Sequence, residues 1–117
     1  MPIRVFHCDD SQPFTRLAWH WLSGCADIEH VGAANSAGET LEAVAAADPD
    51  VVLLDTMGSP TDTALMDAIR ERVPRARVVV LSGYVRLLEL GAGADAYVAK
   101  GDDERELLAV IRRVVAS

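Results

Sequence analysis

A chain of 117 residues has room for one compact domain; half of it is hydrophobic and only 5% aromatic, so the core must be filled by Val, Leu, Ile and Ala. A net charge of −7 gives no attraction to phosphate backbones or anionic bilayers, which argues against direct nucleic-acid or membrane binding. Cys8 and Cys25 are too few for a disulfide framework, and with no signal peptide or long apolar run they read as buried thiols in a reducing cytoplasm.

Ile3 to Cys8 forms a short strand pattern that ends on the carboxylates Asp9 and Asp10. From Phe14 the residues Phe14, Leu17, Ala18, Trp21 and Leu22 fall on one helical face, with Gly24 as the stop, and Trp19 lies off that face as either an exposed docking residue or edge-of-core packing. Ile28 to Ala34 is the second strand, and Ser36 with Glu39 three residues on makes a capping-box signature before Leu41, Val44 and Ala45. Pro49-Asp50 then introduces Val51 to Leu54, an apolar run of the kind buried on both faces, ending at Asp55.

After a Gly/Ser/Pro loop, Leu65, Met66, Ile69 and Val73 share a helical face that Pro74 ends, ahead of a strand from Arg77 to Leu81 and a loop opening at Ser82. Val85 to Leu90 allows barely two helical turns before Gly91-Ala92-Gly93, and Ala96 to Ala99 makes a short last strand before Lys100. Leu107, Leu108, Val110, Ile111, Val114 and Val115 pattern the terminal helix. Five alternating strand and helix pairs with short connections predict a single doubly wound α/β domain over residues 1–117, its parallel strands in the order 2-1-3-4-5 and its fourth helix short.

In such a sheet, ligands bind beyond the strand C-termini where the winding reverses, at strands one and three. Asp9, Asp10 and Asp55 occupy those ends. Three carboxylates at one spot repel unless a cation neutralises them, and all-oxygen donors favour a hard ion such as Mg²⁺. Ser82 and Lys100 add a hydroxyl and an ammonium at the neighbouring ends, so an anion such as a phosphoryl group could be held there, with Asp55 on the central strand as nucleophile. Each residue has a plainer reading when taken alone: adjacent acids often form a turn, Ser82 could simply shape a loop, and Lys100 could cap a sheet edge. His7, His20 and His30 share no ligand spacing and read as strand or surface residues.

The segments RVFHCDDS, VGAANS, DPDVVLLD, RARVVVLS and GADAYVAKGD, in that order, resemble the receiver domain of bacterial two-component response regulators, most closely the receivers that precede a helix-turn-helix. The resemblance spans the whole chain and implies a CheY-like fold and a signalling module rather than an enzyme. It implies phosphorylation of Asp55 by a sensor histidine kinase, with Mg²⁺ held by Asp9, Asp10, Asp55 and the backbone carbonyl of Met57. It further implies that Ser82 and Lys100 read the phosphoryl group, that Ser82 and Tyr97 act as the switch, and that the partners are a downstream protein or output domain and, optionally, a second copy of the chain.

Two features depart from that family. The loop after Asp55 reads Asp55-Thr56-Met57-Gly58-Ser59-Pro60, one residue short of the usual Asp-x-x-Met-Pro pattern, and the interval from Ser82 to Lys100 is about one helical turn short, at ~3.6 residues per turn. A degenerate receiver serving as a phosphorylation-independent interaction module is therefore the alternative reading. A phosphohydrolase with an aspartyl nucleophile is disfavoured, because no second Asp follows two positions after Asp55.

Overall fold

Apolar runs alternate with amphipathic stretches along the chain, and in the structure, a computed structural model, each becomes a strand or a helix. Residues 2–9, 11–55, 64–82, 94–99 and 103–116 are described, except for the side chains of Ala37 and Ser82. The order is β1 (Ile3–Cys8), α1 (Gln12–Ser23), β2 (Ile28–Ala34), α2 (Ala37–Ala47), β3 (Val51–Asp55), α3 (Ala64–Arg72), β4 (Arg77–Ser82), β5 (Ala96–Ala99) and α4 (Glu104–Ala116). The short helix expected over Val85 to Leu90 and its Gly91-Ala92-Gly93 stop lie outside the described residues.

All neighbouring strands pair in parallel, in the order β2-β1-β3-β4-β5. Side chains alternate across each strand, so the sheet carries one apolar layer on each face. Val5, Leu53, Leu81 and Val98 pack with Leu22 of α1 and with Leu107, Ile111 and Val114 of α4. Phe6, Cys8, Val52, Leu54 and Val80 pack with Val44 of α2 and with Met66 and Ile69 of α3. β3 is buried along its whole length, as the apolar run Val51 to Leu54 requires, and the burial extends to Asp55 at its end.

Local detail departs from the sequence pattern in four places. α1 begins two residues before Phe14, because Ser11 is the N-cap and its side chain accepts the Phe14 N–H at 3.4 Å. Leu17 is not a core residue: it is 46% exposed, and Trp19 is 56% exposed, while Ala18 and Leu22 form the buried stripe. Ser36 is the N-cap of α2, but its side chain makes no capping hydrogen bond; its carbonyl instead accepts the Thr40 hydroxyl at 2.7 Å. Cys8 is a buried thiol as expected, whereas Cys25 is only half-buried at the margin of the α1–α4 layer.

The edge of the sheet where the strands begin is tied by carboxylates. Asp50 accepts the Arg4 N–H at 3.0 Å and the Arg75 guanidinium at 2.7 Å, while its backbone joins Arg4 and Arg77, so one residue links β1, β3 and β4. Arg75 also grips Asp48, the left-handed C-cap of α2 (φ 49°, ψ 60°), through both its carboxylate and its carbonyl. At the other end of the same edge, Asp95 accepts the Val78 N–H at 2.7 Å and faces Arg70 at 3.3 Å.

β2 contains a bulge: Val5 pairs with His30 but Phe6 pairs with Gly32, so Val31 is the extra residue. A Cβ on Gly32 would lie 3.1 Å from the buried Phe6 ring, which makes the glycine a condition of that close approach. Gly32→Val should therefore destabilise the fold by about 1–3 kcal/mol despite the better strand propensity of valine, as read from denaturant midpoints; a neutral or stabilising effect would remove the packing constraint.

Burial alone would raise the Asp50 pKa, but the Arg4 N–H and the Arg75 guanidinium outweigh it and hold the carboxyl below its ordinary value. A carboxylate with a depressed folded pKa stabilises the fold above the unfolded value of about 3.9, and that contribution is lost as pH falls through the folded value. Asp50→Ala should cost about 1–3 kcal/mol near neutral pH through the lost hydrogen bonds, and its deficit against the parent should shrink as melts are repeated at pH values progressively below about 4.

Candidate functional site

Strand register brings two of the expected residues, Asp9 and Asp55, to one edge. Cys8 pairs with Leu54, so Asp9 and Asp55, each the next residue along, stand level at the C-terminal ends of the adjacent strands β1 and β3. Asp55 pairs with Leu81, and Ser82 pairs with Ala99, so the backbone of Ser82 and the end of β5 that leads to Lys100 continue the same edge. The right-handed crossovers place this edge where the chain turns from one face of the sheet to the other, between β1 and β3.

Asp9 is fully buried and Asp55 is 7% exposed. The Asp9 N–H donates to the Ala34 carbonyl at 3.0 Å, which fixes the first carboxylate against the end of β2. Its Oδ1 accepts the Ser11 N–H at 2.8 Å, an Asx-type turn that starts α1. Its Oδ2 lies 3.4 Å from Nε2 of His7. Beneath Asp9, the Cys8 thiol contacts the Thr40 hydroxyl at 2.8 Å; Thr40 donates to the Ser36 carbonyl, so the thiol is the donor in that contact.

His7 is the residue near the site that the sequence pattern did not single out. It is completely buried, lies on the α1 face and meets the Phe14 ring edge-on at a centroid distance of 5.8 Å. Phe14 in turn meets Trp21 at 6.5 Å. His30, on the same face of β2, stacks at 5.7 Å against exposed Trp19; burial and the proximity of His7 hold its pKa below the usual histidine value. Only the position of His7 directly after the buried apolar pair Val5-Phe6, two residues before Asp9, could have marked it.

Tyr97 pairs with Val80, is half-buried against the α2–α3 layer, and accepts the Ala94 N–H on its hydroxyl at 3.2 Å. Asp10, Met57 and Lys100, together with the loop after Asp55 that is expected to be short, lie outside the described residues, as does the side chain of Ser82. Among the described residues no three acidic, histidine or cysteine side chains gather as a metal cluster, and two of the three expected carboxylates are described. Buried carboxylates on neighbouring strand ends form an oxygen-only donor set, which suits a hard divalent cation and not a thiophilic one. On the β2 side, a cleft of about 310 Å³ opens between α1 and α2, carrying Arg16, Asn35 and Glu39. No helix among the described residues is long and apolar enough to cross a membrane.

Known proteins give the same picture of the fold. The chain is 27% identical to the response regulator protein VraR of Staphylococcus saprophyticus, over 97% of its own length and 56% of the relative's. It is 26% identical to VraR of Staphylococcus aureus over the same shares, so it spans about half the length of these curated relatives. Among solved structures it resembles the signal receiver domain of the response regulator NarL from Mycobacterium tuberculosis, with TM-score 0.85 and 26% identity, covering 99% of this chain and 98% of that one. It also resembles the response regulator domain of Thermotoga maritima CheB, with TM-score 0.80 and 25% identity, covering 100% and 98%. The family described as the response regulator receiver domain matches residues 5–112, nearly the whole sheet with its helices, and on that match the chain belongs to the response regulator receiver family.

Proposed function

We propose that this chain is a phospho-accepting receiver that takes a phosphoryl group on Asp55 and passes its state to a protein partner. The observation that carries this reading is the pair of buried carboxylates, Asp9 and Asp55, held level at the ends of adjacent strands by the β1–β3 register. A carboxylate oxygen of Asp55 attacks the phosphorus of a phosphohistidine on a sensor kinase. The P–N bond breaks, the leaving imidazole takes up a proton, and an aspartyl phosphate remains.

Mg²⁺, when bound, offsets the charge of the incoming phosphoryl oxygens. Asp9, Asp10, Asp55 and the Met57 carbonyl would hold it, and Ser82 and Lys100 would contact the phosphoryl group. Tyr97 would carry the change outward to a downstream protein, an output domain or a second copy of the chain. The setting is the cytoplasm, where the kinase core and its ATP reside. The membership of the family and the resemblance to VraR support this reading and favour an output in transcription.

Incubation with acetyl phosphate and Mg²⁺ should label the parent chain and leave Asp55→Asn unlabelled, as measured by intact mass after rapid quenching. Equal labelling of both would move the acceptor elsewhere, and no labelling of the parent would favour the phosphorylation-independent module. Beryllofluoride with Mg²⁺ should shift the amide resonances of Asp55, Ser82 and Tyr97 in the parent only; an unmoved Tyr97 would remove it from the switch.

A further inference from the structure

His7 is a buried polar residue for which the receiver reading has no use. Its side chain is fully inaccessible, and neither ring nitrogen has a hydrogen-bond partner among the described residues. Its strand neighbours are Leu53 and Ala33, and the Phe14 edge closes the α1 side. An aliphatic side chain would fill that place without the desolvation that an unsatisfied imidazole carries. A cost of this kind at a core position calls for a reason, and functional sites are where such costs are found.

Among the described residues, the ring faces the Asp9 carboxylate, at 3.4 Å from Nε2 to Oδ2. We propose that His7 is a positioning residue for the acidic pocket: an N–H on Nε2 directed at Oδ2, together with the Ser11 N–H on Oδ1, fixes the plane of the Asp9 carboxylate toward a divalent cation. The Ser11 N–H engages Oδ1, and the His7 ring faces the other oxygen, Oδ2. A donor on each oxygen fixes the plane, and a carboxylate with about four acceptor positions keeps capacity for a metal or its water. The N–H of Asp9 itself is committed to the Ala34 carbonyl. The 3.4 Å separation is a few tenths longer than a formed N–H···O bond, so the positioning role requires the contact to shorten when a cation is bound.

This inference rests on the acidic pocket of the proposed function, so its test must separate the two. Mg²⁺ alone is titrated into the full chain and followed by amide NMR at Leu54 and Asp55, and thermal melts are recorded without metal. His7→Leu should melt no lower than the parent, because it removes an unsatisfied buried imidazole, yet should bind Mg²⁺ about tenfold more weakly. His7→Gln, which can place an N–H near the former Nε2, should restore affinity to within about threefold of the parent, the conservative rescue that a packing role would not give. Parent-like Mg²⁺ affinity in a folded His7→Leu overturns the positioning role alone, as does a failure of His7→Gln to recover when both variants melt lower. Absence of Mg²⁺ binding in the parent overturns the pocket and this inference with it.

Discussion

The parallel register of β1 against β3 is the constraint on which the rest of the molecule depends. Because Cys8 faces Leu54, the next residue on each strand is an acid, and two carboxylates that are far apart in sequence arrive side by side with little exposure. Buried charges on adjacent strands are tolerated only if the surroundings hold them by donors or a cation. The Ser11 N–H and the His7 ring face the Asp9 carboxylate, while the Ala34 carbonyl accepts the Asp9 backbone N–H. A one-residue slip would send these side chains to the opposite layer and dismantle the edge.

The two edges of the sheet divide the work. Where the strands begin, Asp50, Asp48 and Asp95 are satisfied by Arg75, Arg70 and backbone N–H groups, and these acids serve as fasteners. Where the strands end, Asp9 and Asp55 are buried, with His7 and the Ser11 N–H facing Asp9 at the start of α1. The last helix is held to the turn between α1 and β2 by Arg112, whose guanidinium contacts both oxygens of Asp27 at 2.8 and 3.0 Å and lowers its pKa. Surface pairs of this sort fix orientation more than they add stability.

Much of the architecture was legible in the sequence. Val51 to Leu54 announced a strand buried on both faces, because an unbroken apolar run of that length fits little else, and the alternation of such runs with amphipathic stretches implied the winding order. Helix α1 was harder: its apolar spacing put Leu17 on the core face, but the stripe is narrow and centred on Ala18 and Leu22. The Ser36–Glu39 pair had the pattern of a capping box without its hydrogen bond, since the Ser36 carbonyl is engaged by Thr40 instead. The burial of His7 was hidden because period-two alternation says nothing about depth when both faces of a strand are covered. Asp9 and Asp55 could be assigned to strand ends from pattern alone; the level at which the strands meet needed the register.

The bulge at Val31 has a consequence for how β2 reaches that edge. An added residue shifts the phase of everything after it, so Gly32 and not Val31 meets the Phe6 ring, and Ala34 arrives level with Cys8. The Ala34 carbonyl is thereby available to the Asp9 N–H. The outermost strand thus works as a spacer of set length: its extra residue is a timing correction that lets a peripheral segment finish in step with the centre of the sheet.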